Sequence, residues 1–210
     1  MSDTFHAAAP DELDGLSLAR FVSRLGVESV SPVTFVWDGR GPVSPLFQRW
    51  LGELYRPILA HALVEVHRLS MAYRLDEIAA IDRRIDTFLD VGAKTRSLAV
   101  AKAFLEGKDR MKANREWSRF ADHVAKGETP GHTPTLFALQ AALYHLPLAP
   151  TLAAYAWFEL ESALPGGYRD LAGTREEVLD AFSLALPEVR VAVQSVHDEF
   201  DEGAPKLRAI

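Results

Sequence analysis

Three aspartates, Asp82, Asp86 and Asp90, stand four residues apart. On a helix that spacing stacks carboxylates along one stripe, and a row of hard oxygen ligands is what magnesium bridging to a diphosphate requires. A magnesium-dependent helical enzyme acting on a prenyl diphosphate would use such a row, but it also needs a second acidic helix facing the first. Glu176, Glu177 and Asp180 are the candidates, and they fall at a helix start, where the helix dipole favours acidic residues anyway. Arg83 and Arg84 interleave with the aspartates. A solvated ion-pair face, opposite the apolar stripe of Ile78, Ile81, Ile85, Phe88 and Leu89, accounts for the pattern better.

His61, Glu65 and His67 form a second cluster. His67 lies about 160° around a helix from Glu65, so the three cannot converge on one metal from that helix alone. No E-x-x-H, H-E-x-x-H, G-x-S-x-G or phosphate-cradling glycine motif is present. The remaining histidines are scattered, and His132, in "GHTP" ahead of a helix, reads as a capping or loop-packing residue. With no cysteine, thiolate metal sites and cysteine nucleophiles are excluded. The sequence alone assembles no active site, and neither a cofactor nor a metal is expected.

The 210 residues are 48% hydrophobic and 25% charged, which suits one globular domain. Net charge is −6, and no dense basic block offers a footprint for nucleic acid. "MSDTFHAAAPDELDG" lacks the basic and apolar segments of a secretory signal, so a cytoplasmic protein is expected. The longest apolar stretch, His132 to Leu160, carries no Asp, Glu, Lys or Arg before Glu159. A membrane span needs about 20 apolar residues in one helix, and Pro147 and Pro150 divide this stretch into two shorter ones. No membrane partner is expected.

Helical periods dominate the chain, so the fold class is all-α: a single domain of about eight or nine helices around a central apolar helical hairpin. A first helix is expected over about 11–25, ended by Gly26, and then an irregular loop over about 27–45. Ser44 and Pro45 read as N-cap and first helical residue of a long helix to about 72, kinked at Pro57. Helices follow over about 75–90, 93–106, 109–125, 134–145 and 150–164. After a glycine-containing loop at 165–173, Thr174 and Glu177 form a capping-box signature. Pro187 opens a last helix, and 201–210 is expected to be a frayed tail.

The segment "GHTPTLFALQAALYHLPLAPTLAAYAWFELESAL", with the loop "PGGYRDLAGT" and the helix after it, resembles the urease accessory family UreF. His132, Pro134, Leu146, Pro147, Ala154, Tyr155, Arg169 and Gly173 occupy comparable places, and "TRSLAVAKAFL" resembles the family's Arg-x-x-Ser segment that runs into a helix, through Arg96 and an altered pattern in which Ser97 follows directly. The resemblance covers about 75–175. The chain departs from the family pattern in lacking a Ser-x-Gly-Leu-Glu segment near its start, in Glu161-Ser162 for Asn-Gln and in Ala172-Gly173-Thr174 for Leu-Gly-Gln, which marks a diverged member.

The resemblance implies a non-catalytic, cytoplasmic, dimeric scaffold for nickel insertion into urease. Its implied partners are a UreD/UreH-type accessory protein, the UreG GTPase and the urease apoprotein. Partner contacts are expected at Arg96 and Lys102, at Tyr168, Arg169 and Gly173 in the late loop, and at Lys206 and Arg208 in the tail. A generic helical ligand-binding or interaction module is the rival reading, and it calls for a cavity beside Tyr144, Tyr155 and Trp157.

Overall fold

The computed structural model describes residues 32–106, 114–164 and 175–201. The expected first helix at 11–25, residues 109–113, the late loop, Thr174 and the tail beyond 201 lie outside the described residues. Those described are helical, with no strand. The all-α class stands, with a helix number slightly below the expected eight or nine.

The first rod is continuous from α1 (Val43–Trp50) through a π-helical segment (Leu51–Ala60) into α2 (His61–Met71). Pro57 lies inside the π-helical segment. Proline lacks the N–H that an α-helical ladder needs, and at the position where a kink was expected a stretch of wider i→i+5 turns absorbs the missing donor. Leu51, Tyr55 and Leu59, spaced by fours, are all buried along it.

The rod begins at Val43 with Pro42 as N-cap, not at Ser44. Its first amide is capped from elsewhere in the chain, since Val43 N–H donates to Glu177 Oε1 at 2.8 Å. The capping role read for Glu177 is thus exerted across 134 residues on a different helix.

Next come α3 (Leu75–Phe88), α4 (Val91–Glu106) and α5 (Arg115–Ala125), the last started by Asn114, whose side chain accepts from the Glu116 and Trp117 amides. The hairpin of α6 (Thr133–Leu143) and α7 (Leu148–Ala163) sits at the centre. All residues from Thr133 to Ala142, and from Thr151 to Leu160, are buried. A helix that is apolar all round is stable only when enclosed on every side, and α6 is enclosed by α2, α3, α4 and α7. α8 (Arg175–Ser183) and α9 (Ala185–Asp201), separated by the turn residue Leu184, are two helices, as expected. They pack on α1, the π-helical segment and α7.

Tyr155, Phe137 and Phe158 pack edge-on or tilted with ring centroids 5.2–6.1 Å apart, and Trp157 meets Phe182 edge-on at 5.2 Å. Side chains fill the region in which the rival reading required a cavity. Among the described residues no helix is long and apolar enough to cross a membrane.

Candidate functional site

The aspartate row does not behave as one face. Asp82 is fully buried and accepts four hydrogen bonds. Oδ2 takes Thr129 Oγ1 at 2.7 Å and the Gly131 amide at 2.5 Å, while Oδ1 takes the His132 amide at 2.8 Å and Thr135 Oγ1 at 2.6 Å. A carboxylate from α3 therefore caps the N-terminus of α6, satisfying amides that a helix start leaves unpaired and placing negative charge at the positive end of its dipole. The expectation of a solvated position for Asp82 fails for this reason.

Asp86, one turn on, is a third exposed and pairs with Lys94 at 2.9 Å. Lys94, ahead of His132, holds its carboxyl below the usual carboxylate range. Asp90 is exposed and caps α4 by accepting from the Ala93 amide at 2.8 Å. The three carboxylates have three separate duties and share no cavity, so the diphosphate-enzyme reading loses its ligand set.

His132 completes this node. Its ring is buried, with Nε2 3.1 Å from Asp86 Oδ1 and Nδ1 3.2 Å from Ser97 Oγ. Ser97 Oγ also accepts the Thr133 amide at 3.0 Å, and Thr133 Oγ1 donates to the Ser97 carbonyl at 2.6 Å. Serine, histidine and aspartate thus stand in line, as in a hydrolase, but turned outside in: Ser97 is fully enclosed and the carboxylate is the exposed member. An attacking hydroxyl must reach substrate, and this one is spent on joining α4 to α6. Gly131 makes the approach possible. Its φ is +77°, and a Cβ there would lie 2.7 Å from Val124 Cγ2.

A second buried carboxylate, Glu159, acts near the C-terminal end of α7. Glu159 Oε2 accepts the Thr34 and Phe35 amides at 2.8 and 3.0 Å, and Oε1 accepts Thr34 Oγ1 at 2.8 Å and the Tyr155 hydroxyl at 2.5 Å. Trp50 Nε1 donates in turn to Thr34 Oγ1, and Phe35 packs on Phe47 and Trp50. Backbone donors that a partner strand would have satisfied are taken by one side chain, which is why 33–37 is a tethered loop. Burial pushes the Glu159 carboxyl up from its ordinary range, against the pull of the Phe35 amide, the Tyr155 hydroxyl and Thr34. Burial also pushes the Tyr155 hydroxyl far up, so it stays a donor.

The second cluster separates. Glu65 pairs with Arg68 at 2.7 Å, His61 is exposed, and His67 Nε2–H donates to the Leu146 carbonyl at 2.8 Å, with burial pushing the ring's pKa down. Among the described residues no three His, Asp or Glu side chains are placed to share a metal ion. A shallow hollow of about 230 Å³, lined by Tyr73, Arg74, Leu75, Asp76, Glu77 and Arg119, carries an Arg74–Glu77 ion pair and little apolar wall.

Of the expected contact residues, Arg96 and Lys102 are described. Arg96 is half-buried, its Nε donating to the Val33 carbonyl at 2.9 Å and its guanidinium folded over Gly92. That bond makes it a clamp on the loop as well as a surface cation. Lys102 is 74% exposed and 3.8 Å from Glu106. Tyr168, Arg169, Gly173, Lys206 and Arg208 lie outside the described residues.

Sequence reasoning missed Asp82 as a cap and Glu159 as a tether. For Glu159 a signal existed, since it is the first charge in an otherwise uncharged stretch; for Asp82 nothing local separates it from Asp86.

No curated protein and no solved structure matches the chain significantly. The model of the family UreF matches residues 47–169, starting earlier than the resemblance read from the motifs and taking in Asp82, Ser97, His132 and Glu159. With more than half of its length matched, and the helices of the buried hairpin inside the match, the chain belongs to the UreF family of urease accessory proteins.

Proposed function

We propose that this chain serves urease assembly by binding and not by chemistry, as a homodimeric cytoplasmic scaffold. In this reading it joins a UreD/UreH-type protein, the UreG-type GTPase and the urease apoprotein during nickel insertion, and the GTPase supplies the nucleotide hydrolysis. The observation that carries the reading is the UreF-family match over 47–169. It is supported by the use of the chain's buried polar groups: Asp82, His132, Ser97 and Glu159 are each engaged in holding helices or loops together. Lys102 on the outer side of α4, Arg96 beside it, and Tyr168, Arg169, Gly173, Lys206 and Arg208 are the proposed partner contacts.

The reading is tested in urease-producing cells whose resident UreF has been deleted. Supplying this chain is expected to restore nickel content and urease activity. Restored activity with the Lys102→Glu variant equal to wild type would remove Lys102 from the contact set, and no restoration by the wild-type chain would count against the reading itself.

A further inference from the structure

The polar node at the start of α6 runs unbroken from the surface into the core. The Asp86 carboxylate is divided between two donors, Lys94 Nζ on Oδ2 at 2.9 Å and His132 Nε2 on Oδ1 at 3.1 Å. The Lys94 side chain is 33% exposed and that of Asp86 34%, while His132 and Ser97 are fully buried. α4 carries both ends of the path, Lys94 at the surface and Ser97 inside.

Hydrogen-bond counting fixes the direction of each bond. Lys94 holds the Asp86 carboxyl below the usual carboxylate range, and an ionised carboxylate only accepts. His132 Nε2 must therefore carry a proton, which leaves Nδ1 of the neutral ring bare. The donor that reaches Nδ1 is the Ser97 hydroxyl, 3.2 Å away. Ser97 Oγ keeps a lone pair for the Thr133 amide at 3.0 Å, and Thr133 Oγ1 is turned to the Ser97 carbonyl. The protons thus point outward along the path, from Ser97 to His132 to Asp86.

We propose that His132 is a proton relay by which loss of the Lys94 charge from Asp86 is transmitted to the buried joint between α4 and α6. With Lys94 in place, two donors share the carboxylate and the neutral ring suffices. Without it Asp86 faces His132 alone, and an unshared negative charge favours the charged ring. A proton from water then binds Nδ1, so both ring nitrogens donate. Ser97 Oγ must now accept from Nδ1 as well as from Thr133. Its own proton turns to another acceptor, for a helical serine commonly the carbonyl four residues back, here Ala93. The Ser97–His132 bond has reversed in response to one charge at the surface. The other charges near α6 have partners of their own, except that Asp82, which accepts the His132 amide, adds to the pull on a second proton. On the α5 side His123 pairs with Glu128 at 2.8 Å and Arg83 bonds the Glu128 carbonyl, while Arg96 of α4 is turned to Val33. From α2, Glu65 pairs with Arg68 and His67 bonds the Leu146 carbonyl, and Glu159 of α7 is bound to Thr34 and Phe35. The device does not depend on any role in urease assembly.

Ring-nitrogen NMR of the full, isotope-labelled chain tests the relay, because it distinguishes the two neutral tautomers from the charged ring. In the wild type the neutral His132 ring is expected to carry its proton on Nε2. Lys94→Met keeps the length of the side chain and removes its charge. In that variant the ratio of charged to neutral His132 at a fixed pH is expected to rise about tenfold, whereas Lys94→Arg is expected to keep the wild-type ratio. The Thr133 amide resonance should move together with the ring in Lys94→Met, since that amide shares Ser97 Oγ. A neutral wild-type ring protonated on Nδ1, or an unchanged ratio in Lys94→Met, would overturn the proposal. So would a ring that takes up charge while the Thr133 amide stays in place, because the signal would then stop at His132.

Discussion

Asp82 and Glu159 are both buried carboxylates with four donors, yet they differ in how those donors are shared. Each oxygen of Asp82 takes one backbone amide and one hydroxyl, so an asparagine in either orientation sets its NH2 against an amide N–H. Asp82→Asn is expected to cost on the order of 3 kcal/mol in urea unfolding, the penalty of a buried donor left unsatisfied. Glu159 gathers both backbone amides on Oε2 and both hydroxyls on Oε1, and hydroxyls can turn to accept. Glu159→Gln is therefore expected to cost only about 1 kcal/mol. It also changes the pH profile. A carboxyl whose folded pKa is raised contributes stability fully present below its unfolded value of about 4.3, and this is lost as pH rises through the folded value. The wild-type urea midpoint should show that fall and the Glu159→Gln midpoint should lack it. Asp86 has the opposite sign: with its pKa lowered chiefly by Lys94, its contribution is present above about 3.9 and lost as pH falls through the folded value. Lys94→Met should flatten the acid limb of thermal stability.

Among the elements, two helices end in the same strained way. Tyr73 and His145 both have φ of +56°. Each follows a helix C-cap with the paired bonds of a Schellman motif, Arg74 N–H to the Leu69 carbonyl with Tyr73 N–H to Ser70, and Leu146 N–H to Ala141 with His145 N–H to Ala142. Side chains in the left-handed region cost about 1 kcal/mol that glycine does not. Since both residues are exposed, Tyr73→Gly and His145→Gly are each expected to raise the thermal midpoint by a few degrees. These ends, like the helices themselves, were partly legible in the sequence. The apolar hairpin was read correctly because enclosure on all sides leaves a composition signal as well as a period. At Pro57 the sequence shows the missing donor but not the π-helical ladder that accommodates it. Asp82 was misassigned because its partners are 47 to 53 residues away, and nothing at i±4 distinguishes a tertiary cap from a solvated acid. Arg96 was placed on the right helix, but its hold on Val33, 63 residues distant, had no local trace.

For the whole molecule, the two buried carboxylates anchor two nodes, one at the start of the hairpin's first helix and one near the end of its second. Asp82, His132 and Ser97 fix the start of α6 to α3 and α4, and Glu159 fixes α7 to the loop that leads into α1. Both nodes lie within, or are anchored from, the span matched to the UreF family. A rigid interior of this kind suits a protein whose work is done at its surface, where preorganised side chains lose less freedom on binding. Binding to partners is therefore the central claim, and sedimentation of the purified full chain with purified UreG-type and UreD/UreH-type proteins tests it most directly. At micromolar concentrations the account predicts a heavier species containing this chain together with its partners, whereas the chain sedimenting unchanged in the presence of both would contradict it.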